Sequence, residues 1–229
     1  MADNQITPFQ LTDQFTMDNF NQRINETNTA LQNNDPRQWG LGADSILVDS
    51  LDNALETGWY KSNGATPASG YWNCLTERYN SQSITQTAVQ YDNYGASIAR
   101  RMLSLGVFGP WEWVNPPMEL GVEYRTQERY LGKPVYRKLI WGGPLPNSGY
   151  TGASIASGCI IIQAVCHQTS AASASEVAPS TIGDVIPWNN NDDNGINMSA
   201  FKNHVNLWCK INRSSSNFVA YLWYIKDTD

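Results

Sequence analysis

The residues best suited to chemistry form a polar and aromatic group in the last third of the sequence. The run from Trp188 to Asn194 joins an indole to a row of Asn and Asp side chains. Aromatic rings stack on sugar faces, and amides and carboxylates hydrogen-bond to hydroxyl groups. The candidate ligand-binding residues are Tyr150, Trp188, Asn189, Asn190, Asp192, Asp193, Asn194 and Trp208. The alternative for each aromatic residue is packing in a core or a subunit interface.

The same loop resembles the front of a calcium-binding loop. With Gly195 at the sixth position, Asn190, Asp192 and Asn194 occupy the first, third and fifth. The twelfth position is then Phe201, whereas a calcium loop needs a bidentate carboxylate there. The four cysteines form no C-x-x-C pair and the two histidines are far from them, which argues against zinc. We therefore predict no metal site and no cofactor.

Motifs for nucleophilic catalysis are weak. The nearest match to G-x-S-x-G, residues 152–156, lacks the second glycine. Its serine, Ser154, would need His167 or His204 as a base. No H-E-x-x-H, Walker loop or G-x-G-x-x-G is present. The sequence therefore favours a binding protein over an enzyme.

Glycoside hydrolysis needs two carboxyl groups about 5–10 Å apart. The segment 129–175 contains no Asp or Glu. The pair Asp184 and Asp192 remains open, although solvated loop acids are the simpler interpretation. A small polysaccharide depolymerase is therefore kept as an alternative function.

Charge and hydropathy exclude other classes. The chain of 229 residues has a formal charge of −6, and no basic run exceeds two residues, so nucleic acid is not an expected partner. No apolar stretch approaches the ~18–20 residues needed to cross a bilayer, so membrane insertion is not expected. The start, residues 1–4, has no features of a signal peptide. Synthesis in a cytosol makes buried, reduced thiols the expectation for the cysteines.

One helix is predicted before the candidate ligand-binding region. Met17, Phe20, Ile24, Thr27 and Leu31 are spaced 3, 4, 3 and 4, as in the a and d positions of a heptad. So polar a helix of about 17 residues is marginal alone. It must lie on its own domain or bundle with copies of itself. The apolar stripe formed by these five residues is narrow, as in a coiled coil, which favours a bundle with copies of the same helix.

Short strands dominate the rest of the chain. Turn residues recur at ~8–12-residue intervals, which indicates small antiparallel β-domains. The alternation through Val205, Leu207, Cys209 and Ile211 predicts a half-buried strand, and residues 218–225 predict one buried on both faces. The fold class is mainly β, with a short N-terminal coiled coil and two antiparallel β-domains in an intertwined homotrimer. The predicted boundaries give four parts, which are residues 1–48, 49–115, 116–142 and 143–229.

Several segments resemble a known family. Leu51–Tyr60 with Leu75–Tyr79 resembles the knob domain of pyocin and phage tail fibres, and the Trp111-Glu112-Trp113 ending matches loosely. Residues 121–136 are similar to a connector of phage and prophage tail proteins, and Gly143–Asn147 is similar to the start of a head domain. The resemblance covers roughly residues 10–147.

The resemblance implies an N-terminal tail-attachment segment, a knob, connector strands and a C-terminal β-sandwich head. It further implies a homotrimer without a cofactor, attached at its N-terminal end to a tail or baseplate protein. The head would bind a bacterial surface receptor, either glycan or protein. The predicted location is a virion tail or an extracellular injection particle, after synthesis in the bacterial cytoplasm. A structural tail or baseplate component without cell binding is the other alternative.

Overall fold

A computed structural model of the chain describes residues 17–33, 44–91, 97–186, 196–210 and 212–229. The described residues form one α-helix, three short 3₁₀ turns and fifteen strands, so the prediction of a mainly β protein is confirmed. The chain divides into two compact units. The N-terminal unit is residues 1–96 and 100–110, and the C-terminal unit is residues 97–99 and 111–229.

The predicted helix is present. Helix α1 (Met17–Asn33) spans the residues that carry the 3-4-3-4 spacing. Within the helix, Thr29 bonds back to the Asn25 carbonyl at 2.8 Å, and Gln22 donates to Glu26 at 2.9 Å. Among the described residues, no helix is long and apolar enough to cross a membrane.

The first six strands follow turn signals in the sequence. They are β1 (Ile46–Leu47), β2 (Gly58–Ser62), β3 (Trp72–Asn80), β4 (Ser83–Gln90), β5 (Ile98–Ser104) and β6 (Val107–Phe108). They order as β1-β2-β3-β4-β5, with β6 paired to β5. The β3–β4 turn forms because the Asn80 side chain accepts a 2.8 Å hydrogen bond from the Gln82 amide.

The core of the N-terminal unit contains a polar network. Gln86 on β4 is fully buried, and its amide donates to the carbonyls of Leu51 and Ala54 at 2.8 and 2.9 Å. Its side-chain oxygen accepts from Arg101 at 2.8 Å. Arg101 also pairs with Asp52 at 2.6 Å. The network therefore fastens the 3₁₀ turn at 51–53 to the sheet.

The C-terminal unit has two sheets. The remaining strands are β7 (Glu112–Asn115), β8 (Glu123–Tyr130), β9 (Lys133–Pro144), β10 (Gly149–Ser154), β11 (Cys159–Thr169), β12 (Ile182–Ile186), β13 (Ile196–Phe201), β14 (His204–Cys209) and β15 (Asn217–Lys226). The large sheet orders as β7-β8-β9-β15-β11-β12, and the small sheet as β10-β14-β13. Strand β9 runs across the predicted boundary at 142/143, and it pairs with β15 along most of its length.

An apolar core lies between these two sheets. The small sheet contributes Val205, Leu207 and Cys209, which are fully buried, so the predicted alternation along β14 is confirmed. The large sheet contributes Phe218 and Leu222 from β15. Residues 218–220 are buried on both faces of the sheet, as predicted, whereas Tyr221 and Trp223 are only half-buried.

Gly142 on β9 makes room for the ring of Phe218. A Cβ atom at Gly142 would lie 2.0 Å from the nearest ring carbon. The ring is fully buried in the core. Glycine therefore supplies the space that the aromatic side chain fills.

Two strand pairs are parallel, and each joins two of the predicted parts of the chain. Strands β1 and β2 pair in parallel, as do β7 and β8. Parallel neighbours need a crossover, and the chain provides one in each case through residues 48–57 and 116–122. Turn spacing in a sequence does not reveal such crossovers.

The cysteine prediction is confirmed. Cys74, Cys159, Cys166 and Cys209 are all buried and unbonded to one another. Burial raises the pKa of the Cys74 thiol to about 11 and that of Cys166 to about 12. These thiols therefore stay protonated at neutral pH and belong to the cores.

Candidate functional site

Two of the predicted binding residues lie side by side. Tyr150 on β10 is paired in register with Trp208 on β14, the middle strand of the small sheet. Directly opposed residues of antiparallel strands have Cβ atoms about 4.5–5.5 Å apart. Tyr150 is 79 % exposed and Trp208 is half-buried. Strand pairing has therefore brought a phenol and an indole together on a solvent-facing surface.

The two rings belong to a larger surface, here called the outer face. It is the side of the small sheet that points away from the apolar core. Its residues are every second residue along each of the three strands, with side chains that point toward solvent. They are Tyr150, Gly152 and Ser154 of β10, His204, Asn206 and Trp208 of β14, and Ser199 and Phe201 of β13.

The centre of the outer face is closely packed. Gly152 pairs with Asn206, and a Cβ atom at Gly152 would lie 2.4 Å from the Val205 carbonyl oxygen and 3.3 Å from the Asn206 side-chain oxygen. The position therefore admits no side chain, and the exposed Asn206 side chain lies against Gly152. The Tyr150–Trp208 pair is the next pair along the two strands on the same face.

The far end of the outer face holds the serine and histidine considered for catalysis. Ser154 is paired in register with His204, and both are exposed. Among the described residues, no hydrogen bond joins them and no carboxylate bonds to the imidazole. An activated serine nucleophile would need such an oriented base.

The loop that completes the prediction lies outside the described residues. This applies to Trp188, Asn189, Asn190, Asp192, Asp193 and Asn194. It also applies to the calcium-like positions and to one member of the Asp184–Asp192 pair. In the described part of the chain, no group of three or more His, Cys, Asp or Glu side chains could hold a metal ion.

The C-terminal unit also contains a cleft that the sequence did not predict. It has a volume of about 490 Å³ and lies on the face of the large sheet opposite the apolar core. The lining residues come from β8, β9, β11 and β15, and they are Glu128, Arg129, Tyr130, Val135, Arg137, Ile162, Gln163 and Trp223.

Trp223 lies at the centre of this cleft, here called the Trp223 cleft. It is paired in register with Arg137 on β9 and with Gln163 on β11. The Gln163 pairing follows a bulge at Ile162, the kind of irregularity that re-aims side chains near functional sites. The Arg137 guanidinium carbon lies 5.6 Å from the indole centroid. One row thus joins an amide, an indole and a guanidinium.

The charges in the Trp223 cleft are paired. Arg137 bonds to the carboxylate of Glu128. Arg129 makes two hydrogen bonds of 2.8 Å to the carboxylate of Glu112. Arg125 shares the Glu112 carboxylate at 3.0 Å and also lies 3.7 Å from Asp229, so three guanidinium groups are balanced by three carboxylates. The cleft therefore offers donors and acceptors without a net charge.

A second cluster of ionisable groups, on the large sheet of the C-terminal unit, is structural. Glu123 accepts hydrogen bonds from Tyr224 and Lys226. Burial raises the pKa of Tyr224, and its side chain is 1 % exposed, so the phenol is not available as a nucleophile. Tyr136 stacks on Tyr224 with ring centroids 5.7 Å apart. The cluster ties β8, β9 and β15 together.

The predicted trimer seam is exposed in the single chain. Ile24 is 42 % and Leu31 is 66 % exposed, and Thr27 is exposed as well. Met17 and Phe20 lie in α1, and their side chains are outside the described part. Assembly with sister chains stays a prediction.

Comparison with known proteins gives a limited result. No protein-family model matches the chain, and no curated protein matches it. Solved structures that it matches are pyocin tail fibres. An N-truncated R2-type pyocin tail fibre is 11 % identical, with 79 % of this chain and 94 % of that chain covered and a TM-score of 0.25.

Two fibre fragments from P. aeruginosa give similar values. The R2 pyocin fibre is 11 % identical over 80 % of this chain and 67 % of that one, with a TM-score of 0.28. The R1 pyocin fibre is 12 % identical over 79 % and 66 %, with a TM-score of 0.26. Superpositions at such low TM-scores do not establish a shared fold or function. The tail-fibre role therefore stays a prediction from the sequence.

Proposed function

We propose that the chain is a receptor-binding protein of a phage or phage-like tail, and that it attaches the particle to a glycan on a bacterial surface. The observation that carries the proposal is the outer face, where Tyr150 and Trp208 are paired next to the Gly152–Asn206 pair. An exposed phenol next to an indole presents flat apolar surface to a sugar ring. The neighbouring amide of Asn206 can bond to hydroxyl groups.

Binding without catalysis is part of this proposal. The Ser154–His204 pair lacks the hydrogen bonds of an activated nucleophile. An open face on a rigid sheet suits recognition, because the binding groups are preorganised and cost little entropy when a ligand docks. The location proposed for the chain is the virion tail or an extracellular injection particle.

The proposal is tested by cell adsorption. Labelled wild-type protein is mixed with a panel of bacterial cells and their isolated surface glycans, alongside Tyr150→Ala and Trp208→Ala variants. We expect Tyr150→Ala to lower adsorption at least about tenfold, since loss of one stacking ring costs roughly 1.4 kcal/mol or more. Tyr79→Ala is the matched control, because Tyr79 is 89 % exposed but lies in the N-terminal unit.

Two results would contradict the proposal. One is that wild-type protein adsorbs to no cell and no glycan in the panel. The other is that Tyr150→Ala and Tyr79→Ala adsorb equally well. A Trp188→Ala, Asn190→Ala double variant tests the other predicted binding residues in the same assay, and we expect it to abolish adsorption too.

We propose further that three copies assemble through α1, as a parallel bundle whose N-terminal end attaches to a tail or baseplate protein. Exposed Ile24 and Leu31 support this proposal, because apolar heptad positions gain stability when sister helices cover them. Three weak sites held together also gain avidity. Light scattering should give about three times the 25.6 kDa chain mass.

The assembly has its own test. Ile24→Asp with Leu31→Asp should return the mass to that of one chain, because buried carboxylates would repel one another in the bundle. Asn25→Asp is the control, since Asn25 is exposed and off the seam. A wild-type protein that stays a single chain in dilute solution would overturn the trimer.

A further inference from the structure

We infer that the Trp223 cleft is a second saccharide site, and that its ligand is a neutral sugar ring. The inference rests on the proposed glycan-binding function and adds a site on a different sheet, with a stated ligand chemistry. The cleft volume of about 490 Å³ falls within the ~300–1,000 Å³ typical of small-molecule sites.

The row across the large sheet supplies the recognition chemistry. Trp223 stands between Gln163 and Arg137, which are its register partners on either side. An indole flanked by hydrogen-bonding groups matches a sugar, whose ring has an apolar face and a rim of hydroxyls. The Gln163 side chain is exposed, and it makes no hydrogen bond to any other described residue. Its amide is therefore free to donate and to accept.

Charge pairing points to a neutral ligand. Glu128 pairs with Arg137, and Glu112 accepts two bonds of 2.8 Å from Arg129. Glu112 also accepts from Arg125, whose second carboxylate partner is Asp229. An anionic sugar would have to displace one of these carboxylates before it met a cation. A neutral hydroxyl can instead accept from a guanidinium and donate to the carboxylate of an intact pair.

The pairing also suggests a way to change the preference. In a Glu128→Gln variant, Arg137 keeps a neighbour of the same shape but loses its counter-charge. The cleft then carries one net positive charge. The variant should bind glucuronic acid more tightly than methyl glucoside, whereas the wild-type protein should prefer the neutral ligand.

The experiment follows the Trp223 indole N–H by NMR in the full chain. The signal is assigned with a Trp223→Phe variant, which keeps an aromatic ring in place. The probes are the methyl glycosides of glucose, galactose, mannose, rhamnose and N-acetylglucosamine, together with glucuronic acid and glycerol. We expect saturable shifts with at least one neutral glycoside in the millimolar range, and about tenfold weaker binding in Gln163→Ala.

The controls separate this site from other surfaces. Gln127→Ala should leave the shifts unchanged, since Gln127 is an exposed neighbour on β8 that does not line the cleft. Tyr150→Ala should leave them unchanged as well. Three results would overturn the inference: no shift with any glycoside, shifts in wild-type protein with glucuronic acid alone, or shifts equal to those given by glycerol.

The two proposals can fail separately. If Tyr150→Ala loses adsorption while no sugar shifts the Trp223 signal, the outer face binds the receptor and the Trp223 cleft does not bind sugar. If sugars shift the Trp223 signal in a protein that adsorbs to no cell, the cleft is a saccharide site and the proposed tail function is wrong.

Discussion

The two units solve the same problem of building a β core with different side chains. In the N-terminal unit, Gln86 and Arg101 are buried and form hydrogen bonds within the core. In the C-terminal unit, the centre between the sheets is apolar, with Phe218 and neighbouring aliphatic residues.

The difference reflects what each core must hold. A short 3₁₀ turn has few backbone bonds of its own. The Ala54 amide donates to the Leu51 carbonyl at 3.2 Å, and the Gln86 side chain adds a second donor to that carbonyl and one to the Ala54 carbonyl. Two sheets satisfy their own backbone groups and need only shape to fit together. Polar cores depend on each hydrogen bond, whereas apolar cores depend on volume.

The largest expected effect is steric and falls on the C-terminal unit. Gly142→Ala puts a methyl group 2.0 Å from a ring carbon of Phe218, and we expect a loss of more than about 3 kcal/mol in unfolding free energy. Maleimide labelling read by mass spectrometry should then find Cys166 accessible. Gly183→Ala is the control, since a Cβ atom at Gly183 would lie 3.5 Å from its nearest neighbour, the Gln168 carbonyl oxygen, which is an ordinary contact distance. Equal stability of the two variants would contradict the packing described here.

The next effect falls on the N-terminal unit. Gln86→Leu keeps the volume but removes the donor to the Leu51 and Ala54 carbonyls and the acceptor of the Arg101 Nε–H, so we expect a loss of about 2–3 kcal/mol. Denaturant unfolding measures the loss of unfolding free energy, and maleimide labelling of Cys74 shows whether the N-terminal unit is the part that opens. Cys74 should become reactive while Cys166 stays protected. Labelling of both thiols together would mean that the units unfold as one.

Alkaline pH should lower the stability of the two units over different pH ranges. Because burial raises the thiol pKa values above their ordinary value of 9.0, the stabilising contribution is complete below pH 9.0 and declines as pH rises. The decline is at most about 1.4 kcal/mol per pH unit for each thiol. This loss of stability continues up to about pH 11 for Cys74 and about pH 12 for Cys166, which are the pKa values of the two thiols in the folded chain.

Denaturant unfolding on either side of pH 9.0 measures this decline. Cys166→Ala should make the stability of the C-terminal unit less dependent on pH. Cys74→Ala should do the same for the N-terminal unit. If neither substitution changes the slope, the buried thiols do not control alkaline unfolding.

The smallest expected effect is common to both units. The β5–β6 and β8–β9 turns place Leu105 and Leu131 at φ values of 52° and 51°, each followed by a glycine of positive φ. Type I′ turns of this kind favour Asn at the first position. Leu105→Asn and Leu131→Asn should each raise stability by up to about 1 kcal/mol, measured by thermal unfolding. A gain in one unit only would mean that the other leucine makes a contact that offsets its strain.

The sequence predicts the elements whose pattern is local. Helix α1 and strand β14 follow from spacing alone, because their apolar residues recur at 3–4 and at 2 positions. The pair Tyr150 and Trp208 was also selected from the sequence, as outward aromatics.

Features that depend on register were missed. The bulge at Ile162 sets Gln163 opposite Trp223, and no local pattern encodes that irregularity. Gln86 was missed for a related reason: a polar residue in a strand is usually assigned to the solvent side, and here its alternation with Ile84 and Ala88 is the only signal that it faces inward.

The four enclosed sulfur atoms have a consequence for where such a molecule can work. A fold with no covalent cross-link to form matures equally well in a reducing compartment, and oxidants outside the cell cannot reach a side chain sealed between sheets. Durability in an oxidising environment would then come from tight closure of the sheets around these thiols.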